Sequence, residues 1–202
     1  SYYGSTIDDL VKEKRMESNL FDEDLDVETW WDLGMNDQTA IWFVQKYKNE
    51  IRLIDYYENS GFGLDHYADI LKNKGYEYST HIFPHDVKIR ELGNYGKTRL
   101  DSLLELGIVG EVAPKISIED GIEAVRKNLV NCWFDKDKCA TGIEYLKAYQ
   151  KKWDEKAQVF KSKPLHNFAS HCSDAFRTGI VGQGIELSNW EKEVPINTNY
   201  IV

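Results

Sequence analysis

Short apolar runs alternate with turn residues in the first third of the chain. Three runs rich in aromatic and β-branched residues, at Thr29–Asp32, Thr39–Tyr47 and Glu50–Tyr57, predict three β-strands. Residues 34–37 and 48–49 supply the turn residues between them. Sequential strands joined by tight turns usually pair with their neighbours, so this stretch predicts an antiparallel meander.

The apolar spacing then changes to a helical period. Leu64, Tyr67 and Leu71 fall on one face of a helix that Gly75 ends. The remaining predicted elements are strands at Tyr76–Phe83 and Ile108–Ala113, and helices at Leu100–Leu106, Ile118–Val130, Ile143–Tyr149 and 168–180. The order β-β-β-α-β-α-β-α predicts an α/β fold, a mixed sheet of three antiparallel strands plus parallel strands, flanked by helices. This order is that of the ribonuclease H-like fold.

The composition supports a single compact domain. The chain has 202 residues, 42% of them hydrophobic and 13% aromatic. No apolar run approaches the roughly 20 residues that cross a bilayer, so we expect no membrane association. Three cysteines without a CxxC pair favour a reducing, intracellular setting. Because the first residues show neither an initiator Met nor a signal peptide, we expect a fragment of a longer intracellular protein.

The net charge of −9 argues against a nucleic-acid enzyme until its distribution is considered. Residues 1–28 hold nine acidic and three basic side chains, a net −6, and residues 183–202 hold three acidic and one basic, a net −2. Subtracting both ends from −9 leaves −1 for residues 29–182. We therefore expect an acidic lead or linker over 1–28, with a short helix over 5–17, a domain over 29–182 and a tail over 183–202.

Three aspartates occupy positions that suit a two-metal nuclease. Asp32 and Asp86 each follow an apolar strand, and Asp174 lies on the polar face of the last helix. Carboxylates from two strand ends and one helix can converge on a pair of hard cations, Mg²⁺ or Mn²⁺. The alternatives are a turn-starting Asp at position 32, a loop or cap Asp at 86 and a solvated helix face at 174.

Three further side chains are candidates to support or orient these carboxylates. His85 directly precedes Asp86 and is a candidate supporting residue or ligand. His171 lies one helical turn before Asp174, and the two side chains are therefore neighbours. Asp37 lies in the turn after the first strand, where a structural role is the ordinary one.

Two basic stretches could contact a phosphodiester backbone. The first follows Asp86 and the second precedes the last helix. A solvated helix face is the commoner explanation for the second stretch. The segment around Gly93 is not an ATP site, because Glu91 stands where the Walker pattern requires its first glycine. The DNA-binding candidates are Lys88, Arg90, Lys97, Arg99, Lys151, Lys152, Lys161 and Lys163.

Taken together, the motifs resemble the C-terminal nuclease domain of a tailed-phage terminase large subunit. The resemblance rests on Trp31-Asp32-Leu33-Gly34-x-x-Asp37-x-Thr39-Ala40, on Pro84-His85-Asp86 and on Ser170-His171-x-x-Asp174-Ala175-Phe176-Arg177. It covers nearly the whole chain, and three motifs in order on the right elements are more specific than any one alone.

The resemblance implies a ribonuclease H-like fold and Mg²⁺- or Mn²⁺-dependent cutting of concatemeric viral DNA during genome packaging. Asp32, Asp86 and Asp174 would be the metal-binding carboxylates of a two-ion site. The implied partners are double-stranded DNA, the terminase ATPase domain of the same chain, the portal protein through the C-terminal tail, and the terminase small subunit. The implied location is the host cytoplasm.

Two other functions remain open at this stage. A Holliday-junction resolvase or integrase would use the same three carboxylates. A proofreading exonuclease is disfavoured, since its first strand normally carries Asp-x-Glu and this chain has Asp32-Leu33-Gly34. A catalytically inactive packaging or docking module is the alternative from a different class.

Overall fold

The computed structural model describes residues 1–34 and 38–183 and is built around one large sheet and a small hairpin. The large sheet has seven strands, and the hairpin consists of the last two strands. The strands are β1 (Met16–Glu17), β2 (Val27–Leu33), β3 (Gln38–Tyr47), β4 (Glu50–Ser60), β5 (Tyr78–Phe83), β6 (Glu111–Val112), β7 (Cys132–Asp135), β8 (Lys151–Asp154) and β9 (Val159–Pro164).

Six helices and one 3₁₀ turn connect and cover these strands in the described part of the chain. None of those helices is both long and apolar enough to cross a membrane. The 3₁₀ turn, His85–Lys88, directly follows β5. The helices are α1 (Gly4–Lys12), α2 (Leu64–Lys74), α3 (Arg99–Glu105), α4 (Ile118–Leu129), α5 (Ala140–Ala148) and α6 (Ser170–Gly182).

The sheet is mixed, as the sequence predicts. Its spatial order is β1-β7-β4-β3-β2-β5-β6. Strands β2, β3 and β4 form the predicted antiparallel meander. The pairs β2–β5, β5–β6, β4–β7 and β1–β7 are parallel. Every strand of this sheet except β3 therefore runs in the same direction, and the carboxyl ends of β2, β5 and β6 lie side by side.

Both faces of the sheet are buried, because successive side chains of a strand point to opposite sides and both sides are covered. One face carries Trp30 and Trp42 and packs against Phe176 of α6, with α1, α4 and α5 around it. The other face carries Trp31 and Phe43 and packs against α2 and α3. The α/β class and the flanking helices predicted from the sequence are confirmed.

Residues 1–17 pack onto the domain, which differs from the expected acidic lead. Tyr3 and Ile7 are fully buried, and the Tyr3 ring stacks on Tyr149 with the ring centroids 5.7 Å apart. The helix ends at Lys12 rather than at residue 17, and Met16–Glu17 pairs with β7 instead. The acidic residues of α1 lie on its outer, exposed face, and its apolar residues are buried against the domain. The net charge of the segment did not reveal this apolar face.

Three further strands, β7, β8 and β9, were not predicted. Strand β7 is only four residues long and follows α4 after two turn residues, 130 and 131. The hairpin β8–β9 occupies the basic stretch for which a helix face was the commoner explanation. Its side chains are mostly exposed on both faces, so the stretch lacks the apolar alternation that marks a half-buried strand. The expectations for Asp37 and for the tail beyond Gln183 lie outside the described residues.

Candidate functional site

Three aspartates reach the same edge of the sheet from three different elements. Asp32 is the penultimate residue of β2, and Asp86 lies in the 3₁₀ turn that follows β5. Because β2 and β5 are adjacent and parallel, their carboxyl ends meet at this edge. Asp174 comes from α6. All three line one open cleft with a volume of about 250 Å³, so the structure brings the predicted carboxylates together.

The position of Asp174 depends on a close approach between α6 and β2. Trp30 and Asp32 point to the same face of β2, the face that α6 covers. The Trp30 ring meets Phe176 edge-on with the ring centroids 5.2 Å apart. A Cβ atom at Gly179 would lie 1.8 Å from the Trp30 ring, so only glycine allows α6 to pack this closely. This packing places Asp174 beside Asp32.

Asp32 is a mostly buried carboxylate held by His171. His171 Nδ1 lies 2.8 Å from Asp32 Oδ2, which is a hydrogen bond donated by the ring N–H. Burial raises the pKa of Asp32 to about 6, and the neighbouring charges of Asp174 and Asp86 add to this effect. The bond from His171 lowers the pKa but does not cancel the rise. The site therefore carries negative charge that its own side chains do not fully balance.

Asp174 is held by a cation from its own helix. Arg177 Nη2 lies 2.9 Å from Asp174 Oδ1, and Arg177 Nη1 donates to the Tyr149 hydroxyl at 3.2 Å. A Cβ atom at Gly121 of α4 would lie 2.4 Å from Arg177 Cδ, so this glycine leaves room for the arginine side chain. Burial raises the pKa of Asp174, and the charges of Arg177, His171 and His166 oppose that rise.

The side chains of this cleft suit a hard divalent cation. They offer carboxylate oxygens, which Mg²⁺ and Mn²⁺ prefer. Among residues 1–34 and 38–183, no three His, Cys, Asp or Glu side chains are close enough to hold one metal ion as they stand. Asp32 and Asp174 are instead turned towards His171 and Arg177.

The predicted supporting residues differ in where they lie. His171 contacts Asp32 directly, and its ring also meets the His166 ring edge-on, with the ring centroids 5.6 Å apart. His85 lines the cleft beside Asp86 with an exposed side chain.

The predicted DNA-binding residues fall into two groups. Lys88, Arg90 and the hairpin lysines Lys151, Lys152 and Lys163 are exposed, as a phosphate contact requires. Lys97 is paired with Glu105 at 2.6 Å and Lys161 with Asp154 at 3.0 Å, although both remain partly exposed.

Arg99 has a structural position instead of the predicted DNA-facing one. Its side chain is 13% exposed and pairs with Glu91 at 2.7 Å. It also donates to the backbone carbonyls of Leu33 and Gly34, at 3.1 and 3.3 Å. Arg99 therefore ties the segment after Asp86 to the end of the strand that carries Asp32.

One wall of the cleft was missed by the sequence analysis. It consists of the segment after β6, with Ala113, Pro114 and Ile116, together with Thr178 of α6. Strand β6 has only two residues and was predicted as six, so its carboxyl end could not be located. Pro114 directly after the predicted strand was the available signal, since proline ends strand pairing.

Comparisons with solved structures find large terminases and their nuclease domains. The nuclease domain of the P22 large terminase has a TM-score of 0.63 at 16% identity, over 85% of this chain and 89% of that one. A large terminase from a thermophilic bacteriophage has a TM-score of 0.61 at 18% identity, over 86% of this chain and 44% of that one. The nuclease domain of the bacteriophage SPP1 large terminase, solved with bound Mn, has a TM-score of 0.56 at 15% identity, over 81% and 92%.

These likenesses establish the fold, which is the ribonuclease H-like fold of terminase nuclease domains. The chain spans less than half the length of the large terminase from the thermophilic bacteriophage. Neither the known protein-family profiles nor the curated proteins include a match to this chain.

Proposed function

We propose that this chain is a divalent-metal-dependent endonuclease, the nuclease domain of a phage terminase large subunit. It would cut concatemeric double-stranded DNA at the start and the end of genome packaging. The observation that carries the proposal is the convergence of Asp32, Asp86 and Asp174 in one cleft at the carboxyl edge of the sheet. The fold shared with terminase nuclease domains supports it.

The three aspartates would hold two ions, Mg²⁺ or Mn²⁺. When bound, such a pair of ions supplies an activated water and neutralises charge on the leaving oxygen of the phosphodiester. His171 holds one oxygen of Asp32, and the other oxygen would be available to an ion. Arg177 does the same for Asp174. His85 is exposed beside Asp86 and would contact the phosphate from the open side of the cleft.

The test is plasmid nicking by Asp32→Asn, Asp86→Asn and Asp174→Asn variants in Mg²⁺ or Mn²⁺. Each substitution keeps the side-chain shape but removes a charge that the ions require, so each variant should lose cleavage while remaining folded. Asp69→Asn is the matched control, because Asp69 is an exposed aspartate of α2 on the other face of the sheet. If all three variants cut DNA as fast as the parent, the site assignment is refuted. Cleavage by the parent that survives EDTA, or that requires ATP, would also refute it.

One observation favours a second candidate, a catalytically inactive packaging or docking module. Asp32 and Asp174 already have partners, and no described trio of side chains holds a metal as it stands. Calorimetric titration with Mn²⁺ separates the two functions. The nuclease should bind Mn²⁺, and the Asp32→Asn and Asp174→Asn variants should bind it more weakly. A parent that binds no Mn²⁺ and cuts no DNA would be the inactive module.

We also propose that the exposed lysines and arginines contact phosphates rather than bases. The candidates are the exposed side chains of Lys88, Arg90, Lys151, Lys152 and Lys163. Binding should then weaken steeply with salt and be similar for unrelated duplexes. A strong preference for one short sequence over others, with little salt dependence, would contradict this.

The remaining parts of the proposal concern the setting of the domain. The large terminase from the thermophilic bacteriophage is more than twice as long as the matched region, which is consistent with an ATPase domain in the same polypeptide. The portal protein, reached through residues 183–202, and the terminase small subunit are proposed partners. The proposed location is the host cytoplasm.

A further inference from the structure

A loop beside the cleft carries two apolar side chains that are fully exposed. Residues 89–98, called here the 89–98 loop, run from the end of the 3₁₀ turn to the first turn of α3. Leu92 and Tyr95 lie at its tip, with relative exposures of 105% and 101%. Single exposed apolar side chains are ordinary, but a pair of them on one tip with polar residues around it is typical of an interaction site.

The 89–98 loop is held in one shape by its own backbone. Arg90 and Thr98 form an antiparallel bridge, Glu91 N–H donates to the Lys97 carbonyl at 3.1 Å, and Lys97 N–H donates to the Asn94 carbonyl at 2.9 Å. Arg99 braces the base through Glu91. The loop is therefore a small hairpin whose tip side chains are exposed to solvent.

The tip backbone also favours display of the tyrosine. Tyr95 has a φ of 52°, in the left-handed region that side chains other than glycine rarely adopt. Gly93 and Gly96 on either side have φ values of 96° and 73°. A non-glycine residue held in this region is a recurrent feature of binding and active sites. The Tyr95 side chain is fully exposed to solvent.

The base of the loop adjoins the proposed scissile position. Ile89, Glu91 and Arg99 line a small cavity together with Asp86, one of the three cleft aspartates. Leu92 follows Ile89 by three positions, so the Cα atoms of the two residues lie at most about 10 Å apart. At about 3.4 Å per base pair, this corresponds to at most about three base pairs of duplex. DNA with a phosphate at Asp86 would therefore have its nearest base pairs within reach of the tip.

The charge on the 89–98 loop and on the residue before it favours nucleic acid over protein as the binding partner. Lys88 and Arg90 are exposed and flank the base of the loop. The Arg90 guanidinium extends along the loop, with Nη1 3.8 Å from the place where a Cβ atom of Gly96 would lie. Apolar side chains flanked by cations are the pattern by which proteins press into the minor groove and partly unstack base steps.

We propose that Leu92 and Tyr95 form a wedge that presses on base pairs within about three positions of the cut phosphate, with Lys88 and Arg90 on the adjacent phosphates. This rests on the proposed nuclease function and adds a determinant of where the DNA is cut. Pyrimidine–purine steps unstack most easily. Cleavage should therefore concentrate near such steps, although no base is read by hydrogen bonds.

The experiment mixes the 202-residue chain with a short duplex that contains one 2-aminopurine. Ca²⁺ replaces Mg²⁺ in the buffer, and gel electrophoresis checks that the DNA stays uncut. The 2-aminopurine fluorescence should rise on binding, because unstacking relieves its quenching. Leu92→Ala/Tyr95→Ala should abolish the rise and weaken binding about tenfold, while Tyr95→Phe should retain both. Val130→Ala is the control, since Val130 is also an exposed apolar residue but lies at the end of α4 away from the cleft.

The outcomes separate the wedge from the nuclease function. Unchanged binding and an unchanged fluorescence rise in the double variant would overturn the wedge and leave the nuclease intact. Weaker binding with the fluorescence rise preserved would also overturn it, since the side chains would then add contact without unstacking. If the parent protein binds no duplex at all, the result instead refutes the proposed nuclease function on which the wedge rests.

Discussion

Acidification should destabilise this protein through one buried histidine, His81 of β5. Its ring packs beside the Trp31 and Phe83 rings, with centroids 6.5 and 6.4 Å away, and the residue is 8% exposed. Trp31 Nε1 donates to Thr29 Oγ1 at 2.6 Å, and the Thr29 hydroxyl lies 2.6 Å from His81 Nδ1. A neutral His81 ring can accept the Thr29 hydroxyl proton at Nδ1 while Thr29 accepts from the indole. Burial lowers the pKa of His81 and keeps the ring neutral in the folded protein at neutral pH.

The magnitude follows from the shift of the pKa. Burial lowers the pKa of His81 from 6.5 to about 4. Between these two values the unfolded chain binds a proton that the folded protein does not, so stability falls as the pH falls. The loss is about 2 kcal/mol at pH 5 and about 3 kcal/mol at pH 4, and it vanishes above about pH 7.

The assay is urea unfolding at pH 7, 5 and 4 for the parent and for His81→Asn, whose amide oxygen can still accept from Thr29. The asparagine variant should be less stable at pH 7, because the ring leaves a gap among aromatic side chains. It should nevertheless lose about 2 kcal/mol less than the parent between pH 7 and pH 5. Other titrating groups act equally in both proteins and cancel. Parallel pH profiles for the two proteins would refute the reasoning.

Three further predictions concern packing, the 89–98 loop and the tail. Gly179→Ala should destabilise the fold by about 1–3 kcal/mol in urea unfolding, because its Cβ atom would overlap the Trp30 ring; unchanged stability would show that α6 can shift without cost. Arg99→Ala should speed chymotrypsin cleavage in the loop, whereas Lys97→Ala, which loses only a surface ion pair, should not; equal rates would exclude Arg99 as the brace. Removing residues 184–202 should spare plasmid nicking and impair packaging, and loss of nicking would make the tail part of the active domain.

The edge of the sheet that carries the cleft could be predicted from the sequence. The apolar runs before Asp32 and Asp86 mark two buried strands, and glycine or proline marks where each strand stops. The amphipathic pattern of α6 correctly placed Asp174 on the side opposite Phe176. Local patterns were sufficient here because each aspartate is fixed by its own element, and parallel pairing then brings the strand ends together.

The rest depended on contacts between distant residues. Phe168, the first residue of the predicted last helix, lies before α6 and is 57% exposed, while Ser170 and Ser173 of α6 are buried. Arg99 was grouped with cations suited to DNA, yet its partners are carbonyls of residues 33 and 34, which are far away in sequence. A helical or basic pattern does not reveal which neighbours the fold supplies. The wall of the cleft after β6 was missed for the same reason.

The packing of the first 17 residues has a consequence for aggregation. Strand β1 covers the outer edge of β7, and Tyr3, just before α1, stacks on the aromatic ring of Tyr149. A shortened chain that began at Thr29, where the first predicted strand starts, would expose both. An uncovered strand edge beside an apolar surface is a template for pairing with another copy of the same edge. Such a truncated protein should therefore self-associate through β7, and a unit that stays monomeric should include the acidic N-terminal residues.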